Sequence, residues 1–574
     1  MAKETITIEL LMAGQCLSVT ARNGENLLDL LRREQLFVPA DCSGKGTCGK
    51  CKVKISEKEK RTFQEVLSCR TEIFYGMLVE LPDSWLLWKD TDPLPTTVSS
   101  DSSSSAYGSS ASVMETAKDF QSVSESAVPD YGIAVDLGTS TIAARLLRLS
   151  DGQVLASCQE WNQQIPYGGD VISRIQVCLQ DPQGLEKLSG LIQEQIRRMA
   201  CHLVELAGLN DPDFSWSQLV LMISGNTVMQ HLYAGIHPGS MACAPYRPAT
   251  LFTEDTYLSN LLPPTYLTPC ISAFIGGDIT AGLSACGLDK KEGNWLFLDI
   301  GTNGEMVLGG KAGFLCASVA TGPAFEGAQI RCGCYGRPGA ISHVSWDLLG
   351  QKLKLEVLGP AVLEQADITP LNINGICGSG LIDLMAILSD FGLLTSEGRI
   401  LSPLELEEGI EAGLIDEDLI GALEHQLGTD FLQEDEDGNG IFYLHEDPEH
   451  PVYLCTSDVR NLQLAKASVR AGVEVLLKEK ALSPADLSGV ILAGGFGAHL
   501  KLSSVEKIGM LPGGICDKVM QPGNTSLQGA EKWLCQGDGR RFEELLHLSS
   551  LCQYLELADQ KDFSDLFINY LSIS

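Results

Sequence analysis

YGIAVDLGTSTIAARLLRL (131–149) and WLFLDIGTNGEMVL (295–308) carry the reading of the fold. Each is an apolar run that stops at Asp-x-Gly-Thr and resumes as a second apolar run, the pattern of two strands joined by a tight turn. The copies lie 163 residues apart, counted from Asp136 to Asp299, and form an internal repeat. The turns suit a phosphate. Gly138, Thr139, Ser140 and Thr141 in the first copy, and Gly301, Thr302, Asn303 and Gly304 in the second, offer backbone N–H groups and hydroxyls to phosphate oxygens. Asp136 and Asp299, at the strand ends, are placed to hold Mg2+ through water, because Mg2+ dehydrates reluctantly. One such turn alone is an ordinary β-turn. Two in phase, in separate halves, predict a two-lobed nucleotide site.

Two further stretches extend that site. GVILAGGFGAHL (489–500) is a buried-strand pattern ending at Gly494, Gly495 and Phe496, where glycines let a planar base and ribose approach the backbone. AFIGGDITAGL (273–283) ends another apolar run at Asp278, a carboxylate able to orient or deprotonate an attacking water. A helix N-cap is the plain alternative for Asp278. Gly322, Glu326 and the turn at Gly378-Ser379-Gly380 are further candidates for the cleft wall. The amphipathic helix predicted over 458–479 reads first as core packing, with Lys466 and Arg470 as secondary candidates to reach the nucleotide.

The N-terminus carries different chemistry. Cys42, Cys48, Cys51 and Cys69 are spaced C-x5-C-x2-C-x17-C in a loop rich in Gly and Lys. Plant-type ferredoxins hold a 2Fe–2S cluster on a C-x4-C-x2-C loop with a distant fourth Cys, and this spacing is its one-residue-longer variant. A structural zinc site and unliganded thiols are the bland alternatives; zinc ribbons usually offer two C-x2-C knuckles, and this stretch has one. Strand patterns at 5–10 and 15–20, a helix over 26–36, the cysteine loop and a strand at 50–55 give the order of a β-grasp ferredoxin.

Composition bounds the partners. The 574 residues carry a net charge of −33, which argues against nucleic acid and anionic membranes. Residues 1–85 are neutral, with twelve Lys/Arg and twelve Asp/Glu, and Lys45, Lys50, Lys52, Lys54, Lys58, Lys60 and Arg61 crowd around the cysteines. That ring is either a solvated loop or a docking patch for an acidic redox partner. Nineteen cysteines without a secretory h-region fit a reducing cytoplasm, and no apolar run reaches the length of a membrane span. The stretch 96–113 is Ser-rich and too poor in large apolar groups to order itself. The expected organisation is therefore a 2Fe–2S domain at 1–85, a flexible linker at 86–129, a middle domain with the first phosphate turn at 130–215, and a C-terminal ATPase domain at 216–574. Asp435, Asp437, Asn439, Gly440 and Glu446 match a calcium-loop pattern, but the flanking DPEHPVYL favours an acidic hairpin turn.

The repeat, the Gly-Asp element and the Ala-Gly-Gly-Phe-Gly element resemble the phosphate-1, connect, phosphate-2 and adenosine motifs of the actin–hexokinase–heat-shock ATPases. Joined to a 2Fe–2S domain, the whole chain resembles the ATP-dependent reductive activators of corrinoid proteins. VDLGTST, YGGDVISRI (167–175), FLDIGTNGE, TGPAFEG, GICGSGLIDL and ILAGGFG carry the likeness. The resemblance implies a multidomain α/β chain: a β-grasp ferredoxin followed by a two-lobed, ribonuclease-H-like (actin-like) ATPase. It implies a 2Fe–2S cluster, ATP and Mg2+ as cofactors. It also implies transfer of one electron to inactive Co(II) of a corrinoid protein in a methyltransferase or O-demethylase system, regenerating Co(I). A ferredoxin or flavodoxin would serve as low-potential donor, and linker-mediated association in that family makes a homodimer one expected assembly. A ferredoxin-fused small-molecule kinase is the competing enzyme class, and a nucleotide-gated redox scaffold without hydrolysis is the non-enzymatic one.

Overall fold

In the repeat, each Asp-x-Gly-Thr turn opens a three-stranded antiparallel meander. The computed structural model describes residues 5–12, 15–33, 36, 38, 46, 51–57, 62–82, 129–209, 214–254, 257–258, 263–327, 329–359, 373–445, 451–536 and 540–573. The first meander is Tyr131–Leu137, Thr141–Arg148 and Gln153–Trp161; the second is Asn294–Ile300, Gly304–Gly310 and Gly313–Val319. Each extends into a six-stranded sheet by adding two parallel strands beside its first strand, Leu219–Gly225 then Thr265–Leu267 in one sheet and Leu487–Ala493 then Val519–Gly523 in the other, and one short edge strand, Tyr257–Leu258 antiparallel to Thr265–Leu267 in the first and Cys552–Tyr554 parallel to Gly313–Val319 in the second. The central strands are buried on both faces, which is why they read as continuous apolar runs. The two aspartates occupy equivalent register positions, Asp136 beside Ser224 and Asp299 beside Ala493.

One boundary differs from the sequence expectation. Leu219–Gly225 and Thr265–Leu267 lie beyond residue 215, yet they pair into the sheet of the first repeat. A division after 215 would cut that sheet between parallel neighbours. The parallel strand is reached only through the crossover helices Val171–Gln180 and Gly184–Leu206, so sequence distance hides the pairing.

The two sheets exchange helices. Gly277–Ala285, which follows the first sheet, buries Ile279 and Leu283 among Phe297, Val307, Cys316 and Ile491 of the second. Thr525–Cys535, which follows the second sheet, buries Leu527, Ala530 and Leu534 among Ala134, Leu147, Val220 and Met222 of the first. The helices meet at small residues: a Cβ on Gly529 would lie 2.2 Å from the Ala281 carbonyl oxygen, and one on Gly282 would lie 2.8 Å from Thr525 Oγ1. No larger residue permits this approach. The two sheets that carry the Asp-x-Gly-Thr turns are thus tied together by this pair of helices.

The N-terminal unit is a five-stranded sheet in the order Gln15–Arg22, Thr5–Met12, Met77–Glu80, Lys52–Glu57, Gln64–Leu67. Alternation along Thr5–Met12 turns Ile6, Ile8 and Leu10 inward against Leu27, Leu28, Leu30 and Leu31 of the helix Leu27–Arg33. This bears out the β-grasp order. The Ser-rich linker, Cys42, Cys48, Lys45, Lys50, Lys58, Lys60 and Arg61 lie outside the described residues. Among the described residues no helix is long and apolar enough to cross a membrane.

Candidate active site

Cys51 closes the cysteine loop just before the strand Lys52–Glu57, and Cys69 sits in the short turn Ser68–Arg70 after the neighbouring strand. Antiparallel pairing of those strands brings the two thiols to 3.3 Å. Cys51 is buried and Cys69 half-buried. Asn26 Nδ2 donates to the Cys69 carbonyl at 3.0 Å and fixes that turn. Two sulfurs converging from adjacent strands suit neighbouring ligand positions on one metal, so this half of the predicted ligand set fits an iron–sulfur cluster. Of the basic ring, Lys52 and Lys54 are exposed and face Glu65 and Glu80 across the sheet at 2.8 and 3.8 Å.

The phosphate turns face one another. Asp136 acts on Asp278 and Asp299, Asp299 acts on Asp278 and Glu305, and Asp278 acts on Glu305. Burial raises the proton affinity of all four, and this repulsion adds to it at Asp278, Asp299 and Glu305. Burial first, then Asp299 and Asp136, pushes Asp278 up to about 8. Burial and Asp136 push Asp299 up to about 7, and Glu305 is pushed well above its ordinary value. Carboxylates so arranged attract positive charge, and a divalent cation is the species that suits them. Asp278 stands in the first turn of Gly277–Ala285, with its Oδ1 accepting from the Ile279 N–H at 2.9 Å. Gly276 leaves it room, because a Cβ there would lie 2.7 Å from that oxygen.

Asp136 is held differently. Asn524 Nδ2 and Ser526 Oγ each donate to one of its oxygens at 2.7 Å. Asn524 is also the N-cap of Thr525–Cys535, its Oδ1 accepting from the Leu527 N–H at 2.9 Å. Asn524 and Ser526 lie in PGNTSLQGA (522–530), a Gly-rich stretch whose sequence gives no sign of a bond to Asp136; its local signal is an Asn-Thr-Ser cap ahead of a helix. On the other side of the first turn, fully buried Arg174 donates to the Thr139 carbonyl at 2.5 Å and to the Gly168 carbonyl at 3.0 Å. Burial lowers the Arg174 guanidinium to about 9, offset by the charges of Asp170, Tyr335 and Glu326. Asn226 Nδ2 donates to Thr139 Oγ1 at 3.0 Å.

Glu326 links the turns. Thr302 Oγ1 donates to its Oε1 at 2.8 Å and Ser140 Oγ to its Oε2 at 3.4 Å. It ends the short turn Pro323–Glu326, bracketed by Gly322 (φ 70°) and Gly327 (φ 76°). Phe325 of this turn stacks on Phe496 of the Gly-Gly-Phe-Gly element, with centroids 5.1 Å apart and planes at 22°. Gly378 abuts the same pair, since a Cβ on it would overlap the Phe325 carbonyl oxygen at 1.8 Å. Gly494 (φ +79°) meets the second turn, where a Cβ would lie 2.4 Å from Asp299 Oδ1. The elements predicted to form the cleft therefore do converge. Lys466 and Arg470 do not take part. Lys466 Nζ donates to the Ser572 carbonyl, and the Arg470 guanidinium lies 4.6 Å from the Tyr570 ring centroid. The helix Thr456–Glu479 presents that face to the C-terminal segment, away from the phosphate turns. Asp435 sits in a hairpin between Leu432–Glu434 and Gly440–His445, accepting from the Asp437 and Asn439 N–H groups as a turn residue.

Comparison with known proteins points the same way. The family model of the RACo middle region matches residues 131–291, and that of the C-terminal ASKHA domain of RACo matches 293–412 and 404–574. A 2Fe-2S iron–sulfur cluster binding domain matches 12–73. The corrinoid activation enzyme RamQ of Eubacterium limosum is 29% identical over 426 residues, covering 72% of this chain and 66% of that protein's length. The [Co(II) methylated amine-specific corrinoid protein] reductase of Methanosarcina barkeri is 25% identical over 464 residues, 77% of each chain. A solved structure of a reductive activator for corrinoid, iron–sulfur protein is 27% identical, with a TM-score of 0.61 over 99% of this chain and 98% of that one.

Proposed function

Because this chain belongs to the RACo family of corrinoid reductive activators, with a 2Fe–2S domain ahead of a RACo middle region and ASKHA domain, we propose that it uses ATP to drive one electron onto Co(II) of a corrinoid protein, restoring Co(I). The observation that carries this reading is the convergence, in one chain, of a paired-thiol site at Cys51 and Cys69 and a carboxylate-lined cleft between two matching phosphate turns. In this reading Cys42, Cys48, Cys51 and Cys69 hold the cluster, which supplies a one-electron carrier when bound. Gly138 to Thr141 and Gly301 to Gly304 cradle the phosphates of ATP. Asp136, Asp299 and Asp278 face the magnesium ion that accompanies them. Gly494, Gly495 and Phe496 receive the base and ribose.

The energetics explain why an electron carrier would be joined to an ATPase. A deficit on the order of 200–400 mV between donor and cobalt corresponds to roughly 5–9 kcal/mol for one electron. Closure of two lobes on a nucleotide can supply work on that scale only if the closed form binds the partner differently from the open form. The crossed helices Gly277–Ala285 and Thr525–Cys535, each anchored on the opposite sheet, are the elements that would transmit that closure. The physiological donor is expected to be a ferredoxin or flavodoxin.

The test is an anaerobic visible spectrum of the protein mixed with a Co(II) corrinoid protein and a low-potential reductant, with and without Mg-ATP. The expected result is a Co(I) band that grows only with Mg-ATP. A cluster that reduces normally while cobalt stays Co(II) against every corrinoid protein tried would overturn the reading. A phosphorylated small molecule would then point to the kinase alternative.

A further inference from the structure

Glu326 bridges the two Asp-x-Gly-Thr turns. Its two oxygens accept from a hydroxyl on each side, Thr302 of the second turn and Ser140 of the first. These are the hydroxyls that the cradle would offer to phosphate oxygens. A hydroxyl donates one hydrogen at a time, so a phosphate and the Glu326 carboxylate compete for the same two donors. The backbone that carries this carboxylate is held in place. Positive-φ glycines bracket its turn, a Cβ on Gly327 would meet the backbone of Cys334 at 2.5 Å, and Phe325 is stacked on Phe496. With a triphosphate between the turns, Glu326 keeps its place beside the terminal phosphate and its lone pairs become available to a water molecule.

Asp278 has the opposite surroundings. Asp136 and Asp299 lie beside it, and a magnesium ion held there would draw its lone pairs. Arg174 lies close enough to Glu326 to feel its charge.

We infer that Glu326 orients and deprotonates the water that attacks ATP, while Asp278 serves the cation. The step balances. The water oxygen bonds to the γ-phosphorus, the bond from that phosphorus to the β–γ bridging oxygen breaks with its electron pair leaving on ADP, and the water proton passes to the Glu326 carboxylate. The same competition for Ser140 and Thr302 makes this water site depend on the γ-phosphate, so ADP would leave Glu326 engaged by the turns.

This assignment rests on the ATPase reading above, and the experiment separates the two. Phosphate release and Mg-ATP binding by calorimetry are measured on the full-length protein, on Glu326→Gln and on Asp278→Asn. Glu326→Gln should release phosphate on the order of 10²–10⁴-fold more slowly, with its affinity for Mg-ATP within about threefold of the wild type. Asp278→Asn should instead require more Mg2+ for half-maximal binding. Turnover of Glu326→Gln within about threefold of the wild type, or a loss of nucleotide binding that parallels its loss of turnover, would overturn the role of Glu326. A wild-type protein that binds no Mg-ATP would overturn the ATPase reading itself.

Discussion

The two Asp-x-Gly-Thr turns share a sequence pattern and a place in their sheets, but they are built to different tolerances. The first is tight and externally braced. A Cβ on Gly138 would lie 2.4 Å from the Thr141 carbonyl oxygen, and Asp136 is gripped by Asn524 and Ser526 from 388 and 390 residues away. The second is open. The nearest atoms to a Cβ on Gly301 are 3.9 Å away, and burial and then the Asp136 charge raise the proton affinity of Asp299. One turn is tied to the helix Thr525–Cys535, which packs on the first sheet; the other is tied in no such way by the hydrogen bonds that hold Asp136, and its carboxylate is raised by burial and by Asp136. A repeat can therefore preserve its strand–turn–strand outline while its copies differ in how tightly they are braced.

Substitution of the matching glycines is the most forceful way to break this comparison. Gly138→Ala pushes a methyl group into backbone and should cost about 1–3 kcal/mol, whereas Gly301→Ala should stay within about 0.5 kcal/mol. Chemical denaturation of both variants measures the difference, and equal losses would show that the turns are equally tight. The matching aspartates should then differ in sign. In Asp136→Asn an amide can accept at only one atom, leaving Asn524 or Ser526 without its partner, at a cost of about 1–3 kcal/mol. Asp299→Asn removes a negative charge that Asp278 and Glu305 both feel, so without Mg2+ at neutral pH it should raise the melting temperature while weakening Mg-ATP binding.

A pH series sharpens the same contrast. Asp278 and Asp299 hold protons more tightly in the folded chain, at about 8 and about 7, than their ordinary value of 3.8. Between those limits the folded state binds more protons than the unfolded one, so stability falls as pH rises from about 4 to about 8 and then levels. Melting temperatures measured in chelator should follow that slope, and saturating Mg2+ should flatten it. A slope that Mg2+ leaves unchanged would count against cation binding at these carboxylates. The smallest effect is expected at the brace. Asn524→Ala removes an N-cap and one donor to Asp136, about 1–2 kcal/mol; in the Asp136→Ala background the donor's share of that cost should vanish while the loss of the cap remains.

Much of this architecture was legible from local pattern. Continuous apolar runs ending at Asp136, Asp299 and Ala493 mark buried strands because strands covered on both faces need apolar residues at every position. The glycine at 494 is legible because only glycine takes its positive φ beside Asp299 without strain. The alternation of Ile6, Ile8 and Leu10 likewise announces a half-covered sheet. The direction of Lys466 and Arg470 was not legible, since helical periodicity names a buried face without saying what covers it, and here the C-terminal segment Tyr570–Ser572 does.

The parts are written in local sequence: the repeated Asp-x-Gly-Thr turns, the glycine-rich element after a strand, and a cysteine spacing suited to iron and sulfur. Tertiary structure alone decided how they are joined. It carried the first sheet past residue 215, set Asn524 and Ser526 on Asp136, placed Arg174 under Thr139, and put Glu326 between Ser140 and Thr302. The physical reason is range. Strand and turn preferences act over a few neighbouring residues and leave a mark in the local sequence. A hydrogen bond across hundreds of residues depends only on where the packed sheets and crossed helices bring its ends.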